Sequence, residues 1–140
     1  MIYLDYSANT PADPAVLRTF VETEQRYIGN ANSTHAAGRA AHARMDEILA
    51  HTPQLLGVQP DELIFTSGAS EANNLALKGM ARASRHVGKH IISTALEHSS
   101  VSGTLTALQE RGYEIDLVDI DREGRVDLEH LRELMRKDTV

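Results

Sequence analysis

The stretch TSGASEANN, residues 66–74, combines small and hydroxyl-bearing residues at the start of a predicted helix. The apolar residues of ELIF precede it, and the helical pattern begins near Ser70. The first backbone N–H groups of a helix have no helical partners and favour an anion, most naturally a phosphate. Gly68 and Ala69 are small enough for a phosphate to approach the backbone, and the Ser70 hydroxyl can donate one more hydrogen bond. The stretch therefore predicts a phosphate-binding turn; the alternative is that Ser70 only caps the helix.

A second stretch, ALEHSS at residues 95–100, places His98 between a predicted strand and a predicted helix. Ligands of open α/β sheets bind beyond the carboxyl ends of the strands, where both His98 and Gly68 are expected. An imidazole at that position can stack on a ligand ring or transfer a proton. The alternative is a histidine at the start of a helix with its polar edge in solvent.

These two stretches lie within an alternating series of strand and helix patterns. The alternation predicts an α/β fold with an open, mostly parallel sheet and helices on both faces. Strands are predicted at 61–66, 89–94 and 113–119, a turn at 121–124, and helices at 70–86, 99–112 and 128–135 behind an Asp127 cap. Two earlier helices are predicted. One begins at Asp13-Pro14 and runs to about Tyr27, and the other covers 36–56, ends at Gly57 and should be kinked or split by Pro53.

Composition excludes several classes of function. The 140 residues carry a net charge of −6, with three lysines and no cysteine. The lack of a basic stretch argues against nucleic-acid binding, and without cysteine there is no disulfide or thiolate chemistry within these residues. No signal peptide or membrane-spanning run is evident, so the sequence predicts a soluble cytoplasmic protein without a membrane partner. Residues 138–140 resemble the start of another strand, so a longer protein is expected.

Two patterns begin like metal sites and remain incomplete. His86 and His90 have helical ligand spacing, but Gly88 lies between them and no third ligand is evident. Residues 119–124 begin like a calcium loop, yet they follow a strand, and the twelfth position is His130 rather than glutamate. No metal site is predicted.

Several segments resemble, in order, the NifS/IscS-like cysteine desulfurases of the class-V aminotransferase group. The segments are YLDYSANTPADP (3–14), YIGNANSTHAAGR (27–39), LLGVQPDELIFTSGASEANNLALKG (55–79), KHIISTALEHSSV (89–101) and ERGYEIDLVDIDREGRVDLEHL (110–131). The resemblance covers the whole chain and implies the type I fold of pyridoxal-phosphate (PLP) enzymes. It implies an N-terminal arm, helix and active-site loop at 1–35, and the first part of the PLP-binding large domain at 36–140.

The same resemblance implies roles for individual residues. Gly68, Ala69 and Ser70 would bind the phosphate of PLP, and His98 would stack on its ring and assist proton transfer. The positions expected near the substrate are Ala8, Asn9 and Thr10 in one loop and Asn30, Ser33 and His35 in another.

The implied function is that of a PLP-dependent homodimeric enzyme. It would take sulfur from L-cysteine to give alanine and an enzyme persulfide, which serves a sulfur-acceptor protein or Fe–S cluster assembly. The family's PLP-linking lysine and catalytic cysteine have no counterpart among these residues, because Lys78, Lys89 and Lys137 lie in other contexts. The chain alone is therefore expected to be inactive. The alternatives are a selenocysteine lyase, another class-V enzyme, or a non-catalytic module.

Overall fold

The computed structural model describes residues 2–140, which form two compact units that meet in sequence between Ile64 and Phe65. The first unit contains helices α1 (Pro14–Arg26) and α2 (Ala36–Leu56) and a 3-10 turn (Pro60–Glu62). As predicted, Asp13 caps α1: its carboxylate accepts a hydrogen bond of 2.7 Å from the Ala15 N–H, and Pro14 occupies the first helical position. Helix α2 ends as predicted at Gly57, whose φ of 70° is the left-handed conformation that glycine adopts readily.

Helix α2 continues through Pro53 without interruption, so the split predicted at Pro53 is wrong, while the other predicted outcome, a kink, stays a prediction. Proline removes its own N–H from the helix and crowds the carbonyl one turn earlier, but Pro53 lies in the last turn, where few hydrogen bonds follow. Its side chain is buried, and its carbonyl accepts a hydrogen bond of 3.0 Å from the Val58 N–H. Burial and this terminal hydrogen bond hold the last turn together.

The strand predicted at 61–66 is not formed in the part of the chain that the structure describes. Its first two residues belong to the 3-10 turn, and Leu63–Thr66 follow in no regular element. A strand exists only when a neighbour supplies a hydrogen-bonding ladder, and Ile64 and Phe65 are instead 66% and 59% exposed. The local sequence shows the apolar pattern of a strand, but it does not show whether a neighbouring strand is present to pair with it.

The second unit contains helix α3 (Ala69–Ala83), strand β1 (His90–Ser93), helix α4 (Ser99–Gln109), strand β2 (Glu114–Leu117) and helix α5 (Leu128–Leu134). Strands β1 and β2 pair in parallel, with His90 opposite Glu114 and Ser93 opposite Leu117, and α4 supplies the crossover that parallel pairing requires. The predicted α/β class is confirmed.

Residues 138–140 lie along the other edge of β1, as their strand-like pattern predicted. Thr139 forms a parallel bridge with His90, and the Val140 N–H donates to the His90 carbonyl at 2.9 Å. Strand β1 is therefore flanked on both sides.

The core of the second unit joins α3 to α4. Ala81, Leu105 and Leu108 are buried together, with Tyr113 and Ile115 packed against them. The Tyr113 hydroxyl donates to the Ala81 carbonyl at 2.7 Å. These contacts fix α3 and α4 relative to each other.

The turn before α5 forms as predicted. The N–H groups of Arg125 and Glu123 each donate to Asp121 Oδ1 at 2.9 Å, and these hydrogen bonds, chiefly that of Arg125, hold the pKa of the Asp121 carboxyl below its ordinary value. Asp127 caps α5 through the Glu129 and His130 N–H groups, while Met135, predicted to be helical, ends the helix as its C-cap. No helix within residues 2–140 has the length and apolar character needed to cross a bilayer.

Candidate functional site: the N-terminal ends of α3 and α4

Helix α3 begins one residue earlier than predicted, at Ala69, with Gly68 as its N-cap. Ser70 is therefore the second helical residue, and no side chain caps the helix. The alternative in which Ser70 serves only as a cap is wrong. The Ser70 hydroxyl makes no hydrogen bond within residues 2–140, so it is available to a ligand.

The first turn of α3 presents unpartnered donors. The first N–H to be used is that of Ala72, which donates to the Gly68 carbonyl at 3.1 Å. Those of Ala69, Ser70 and Glu71 have no acceptor among the residues described. Such a group of N–H donors, at the positive end of a helix dipole, is suited to an anion.

Glu71 binds the segment just before this turn. Its carboxylate accepts hydrogen bonds from the Ser67 N–H at 2.6 Å and from the Ser67 hydroxyl at 2.7 Å. These two bonds, the backbone one foremost, hold the pKa of the Glu71 carboxyl below its ordinary value. The loop that leads into α3 is thereby fixed, and the carboxylate is engaged with Ser67 rather than with the free N–H groups.

Gly68 leaves the approach to this turn open. A Cβ built on Gly68 would meet no atom within 4 Å. Its backbone is extended, with φ of 162° and ψ of 179°, so the fold itself does not demand glycine. The absence of a side chain at Gly68 leaves open space beside the first turn of α3.

His98 is the N-cap of α4, as its position between strand and helix predicted. Its Nδ1 accepts a hydrogen bond of 3.1 Å from the Ser100 N–H and lies 2.9 Å from the Ser100 Oγ. The Asn73 side-chain amide donates to the same Oγ at 2.8 Å. The ring is therefore held by its own helix and, through Ser100, by α3.

Asn73 and Ser100 were not predicted as site residues. Asn73 lies in the stretch TSGASEANN and Ser100 in the stretch ALEHSS. An asparagine inside a helix is unfavourable enough to signal a specific contact. Their partnership is invisible in sequence because 27 positions separate them.

The Asn73–Ser100 contact brings the two predicted ligand-binding stretches to one end of the helix pair. Asn73 lies four residues beyond Ala69, which is about one turn, or ~6 Å along the axis. The turn that begins α3 and the histidine that caps α4 therefore flank the same contact.

The candidate residues of the N-terminal loop lie in the first unit and are exposed. The Ala8 and Asn9 N–H groups donate to the Asp5 carbonyl at 3.2 and 3.3 Å, and the Thr10 hydroxyl donates to the Tyr6 carbonyl at 3.2 Å. These contacts form a compact local turn. The substrate-proximal role of Ala8, Asn9 and Thr10 stays a prediction.

All three candidate residues of the second loop, Asn30, Ser33 and His35, make hydrogen bonds within the first unit. The Asn30 side-chain oxygen accepts from the Asn32 N–H at 2.8 Å, and the Asn30 carbonyl accepts from the Ser33 N–H at 2.9 Å. His35 caps α2, with its Nδ1 accepting from the Gly38 N–H at 3.2 Å. Their roles near a substrate also remain predictions.

Comparison with known proteins identifies the family. The family model described as aminotransferase class-V matches residues 2–140. The chain belongs to the class-V aminotransferases. The resemblance read from its sequence is confirmed.

Relatives of this chain carry cysteine desulfurase names. A NifS/IcsS protein homolog of Lactobacillus delbrueckii subsp. bulgaricus is 42% identical over 99% of this chain and 36% of that protein. The putative cysteine desulfurase IscS 1 of Bacillus subtilis is 39% identical over 99% and 37%, and the mitochondrial cysteine desulfurase of Saccharomyces cerevisiae is 39% identical over 99% and 28%. The chain thus spans about a third of the length of the curated relatives it matches.

Solved structures share the fold. A NifS-like protein matches with a TM-score of 0.85 and 35% identity, over 99% of this chain and 38% of that chain. SspA in complex with cysteine matches with a TM-score of 0.80 and 29% identity, over 98% and 40%. The predicted fold, the N-terminal part of a NifS-like protein, is confirmed.

Proposed function

We propose that this chain is the part of a PLP-dependent cysteine desulfurase that holds the cofactor's phosphate and ring. The observation that carries the proposal is the set of unpartnered N–H groups of Ala69, Ser70 and Glu71 beside the open approach at Gly68. Three backbone donors and the Ser70 hydroxyl fit a phosphate group, and His98 supplies a planar ring at the same end of the helix pair.

The whole protein is proposed to take sulfur from L-cysteine, leaving alanine and an enzyme persulfide for an acceptor protein. The chemistry that PLP supplies when bound is an electron sink for the substrate. Residues of this chain would bind and orient: Ser70 and its neighbours the phosphate, His98 the ring. The names of the relatives and the cysteine complex of SspA support the substrate. A cytoplasmic homodimer is part of the same proposal and rests on the family resemblance.

The test of cofactor binding uses pyridoxamine phosphate, because it lacks the aldehyde that would react with surface lysines. Calorimetric titration of the 140-residue chain is expected to show binding of pyridoxamine phosphate and at least tenfold weaker binding of pyridoxamine. Ser70→Ala should weaken binding of the phosphate compound about tenfold, since a hydrogen bond to a charged group is worth ~1.5–3 kcal/mol. Equal affinity for the two compounds would refute the phosphate assignment.

The chain by itself is proposed not to turn over cysteine, because it contains no cysteine that could attack the substrate sulfur. Sulfide release from L-cysteine, PLP and a reductant should equal that of the mixture without protein. Release above that level would show that a persulfide-forming cysteine is not required.

A further inference from the structure

We propose that Asn73 and Ser100 are positioning residues that hold His98 as the neutral tautomer with its proton on Nε2. The ring would then meet a ligand with a hydrogen-bond donor at that nitrogen. The assignment concerns the chain itself, and only its use toward PLP rests on the proposed function. It follows from four contacts at the N-terminus of α4.

The first contact fixes the tautomer. The Ser100 backbone N–H points at His98 Nδ1 across 3.1 Å. A backbone N–H can only donate, so Nδ1 must present its lone pair. A neutral imidazole carries one N–H, which is therefore on Nε2.

The second and third contacts reinforce the same arrangement. The Ser100 Oγ lies 2.9 Å from His98 Nδ1 and 2.8 Å from the Asn73 side-chain nitrogen. Because the hydroxyl accepts the Asn73 amide proton, its own single proton is free to be donated to Nδ1. The two donors share the single lone pair of Nδ1, and the chain of hydrogen bonds runs from Asn73 through Ser100 to His98, each bond polarising the next.

The fourth contact fixes Ser100. The Thr104 hydroxyl donates to the Ser100 carbonyl at 2.7 Å, and Thr104 is itself buried. Since Asn73 projects from α3 and the packed core keeps α3 against α4, the orientation of the His98 ring is tied to the helix whose first turn presents the free N–H groups. His98 Nε2 has no partner within residues 2–140 and is available to a ligand.

The direct test is the protonation pattern of the His98 ring in the ligand-free chain. Long-range proton–nitrogen NMR correlations in alkaline solution, where imidazole is neutral, distinguish a protonated ring nitrogen from an unprotonated one. The expected result is an unprotonated Nδ1 and a protonated Nε2. A protonated Nδ1 would overturn the proposal.

Substitutions separate the effect of the Ser100 hydroxyl on His98 Nδ1 from that of the Ser100 backbone N–H. Ser100→Ala should move the Nδ1 resonance toward that of an acceptor with fewer hydrogen bonds, whereas Ser100→Thr, which keeps a hydroxyl, should restore it. Asn73→Asp replaces the amide donor by an acceptor that competes for the hydroxyl proton, so it should resemble Ser100→Ala. An unchanged Nδ1 resonance in both Ser100→Ala and Asn73→Asp would show that the two side chains do not position the ring.

Ser102→Ala is the matched control, since it removes a hydroxyl from the same helix two residues further along. It should leave the His98 signals unchanged, and circular dichroism should show the same helix content for all variants. Titration with pyridoxamine phosphate keeps this proposal distinct from the proposed function. If pyridoxamine and its phosphate bound equally well while the His98 signals were as expected, the cofactor site alone would be refuted. If the phosphate compound bound more tightly but Ser100→Ala left the His98 signals unaltered, the positioning role alone would be refuted.

Discussion

At the scale of single residues, the candidate site is defined by a missing side chain at Gly68 and by backbone N–H groups that lack partners. Gly68 has no side chain and no neighbour within 4 Å of where its Cβ would lie, and three N–H groups follow it without partners in the described chain. A phosphate can use those donors only if it reaches the backbone. We therefore expect Gly68 to matter for binding and hardly at all for folding.

Gly68→Ala tests this separation. The extended backbone at Gly68 accepts alanine, so the free energy of unfolding should change by less than ~0.5 kcal/mol, as for an ordinary surface substitution. The affinity for pyridoxamine phosphate should fall at least tenfold, measured by calorimetry. Gly79→Ala is the matched control, because Gly79 lies in α3 with equally open surroundings. It should raise stability by ~1 kcal/mol through helix propensity and leave the affinity unchanged. Loss of affinity in both variants would contradict the assignment.

At the scale of elements, the sequence predicts most reliably what local chemistry decides. Asp13 and Asp127 cap α1 and α5 as predicted, since a carboxylate two or three residues from a free N–H needs no distant partner. The strand predicted at 61–66 required a neighbouring strand, and the contact between Asn73 and Ser100 required the packing of two helices. Both depend on groups far apart in the chain, which periodicity cannot reveal.

The start of α3 should respond to acid through Glu71. Hydrogen bonds from Ser67 hold the pKa of Glu71 below its ordinary value of 4.5 in the folded chain. A carboxyl with a depressed folded pKa adds stability above its unfolded pKa and loses it as the pH falls through the folded value. The difference in unfolding free energy between the native chain and Glu71→Gln should therefore be largest above about pH 4.5 and shrink in more acidic solution. Urea titrations at several pH values measure it, and a difference independent of pH would rule out this role of the carboxylate.

At the scale of the whole molecule, one buried histidine joins three segments of the second unit. His90 is fully buried in β1; its Nε2 lies 3.0 Å from Asp116 Oδ2 in β2, and its Nδ1 lies 2.7 Å from the Thr139 Oγ1. Neither ring nitrogen is left without a partner, which a buried polar group requires. In both His90 and His98, Nδ1 lies within hydrogen-bond distance of a hydroxyl. At His90 the protein also supplies a partner for Nε2, whereas His98 Nε2 has none among the described residues.

The Thr139 hydroxyl should therefore hold residues 138–140 against β1. Thr139→Val keeps the shape of the side chain but leaves His90 Nδ1 buried without a partner and removes the acceptor of the Arg136 N–H, which should lower the free energy of unfolding by ~1–3 kcal/mol. Thr139→Ser, which retains the hydroxyl, should lose much less, and hydrogen exchange of the Val140 N–H should accelerate only in the valine variant. That N–H bonds to the His90 carbonyl at 2.9 Å, so its protection reports directly on whether the segment stays in place. If the two variants were equally stable and equally protected, backbone pairing alone would hold the segment, and the Thr139 hydroxyl, with its bond to His90, would have no part in it.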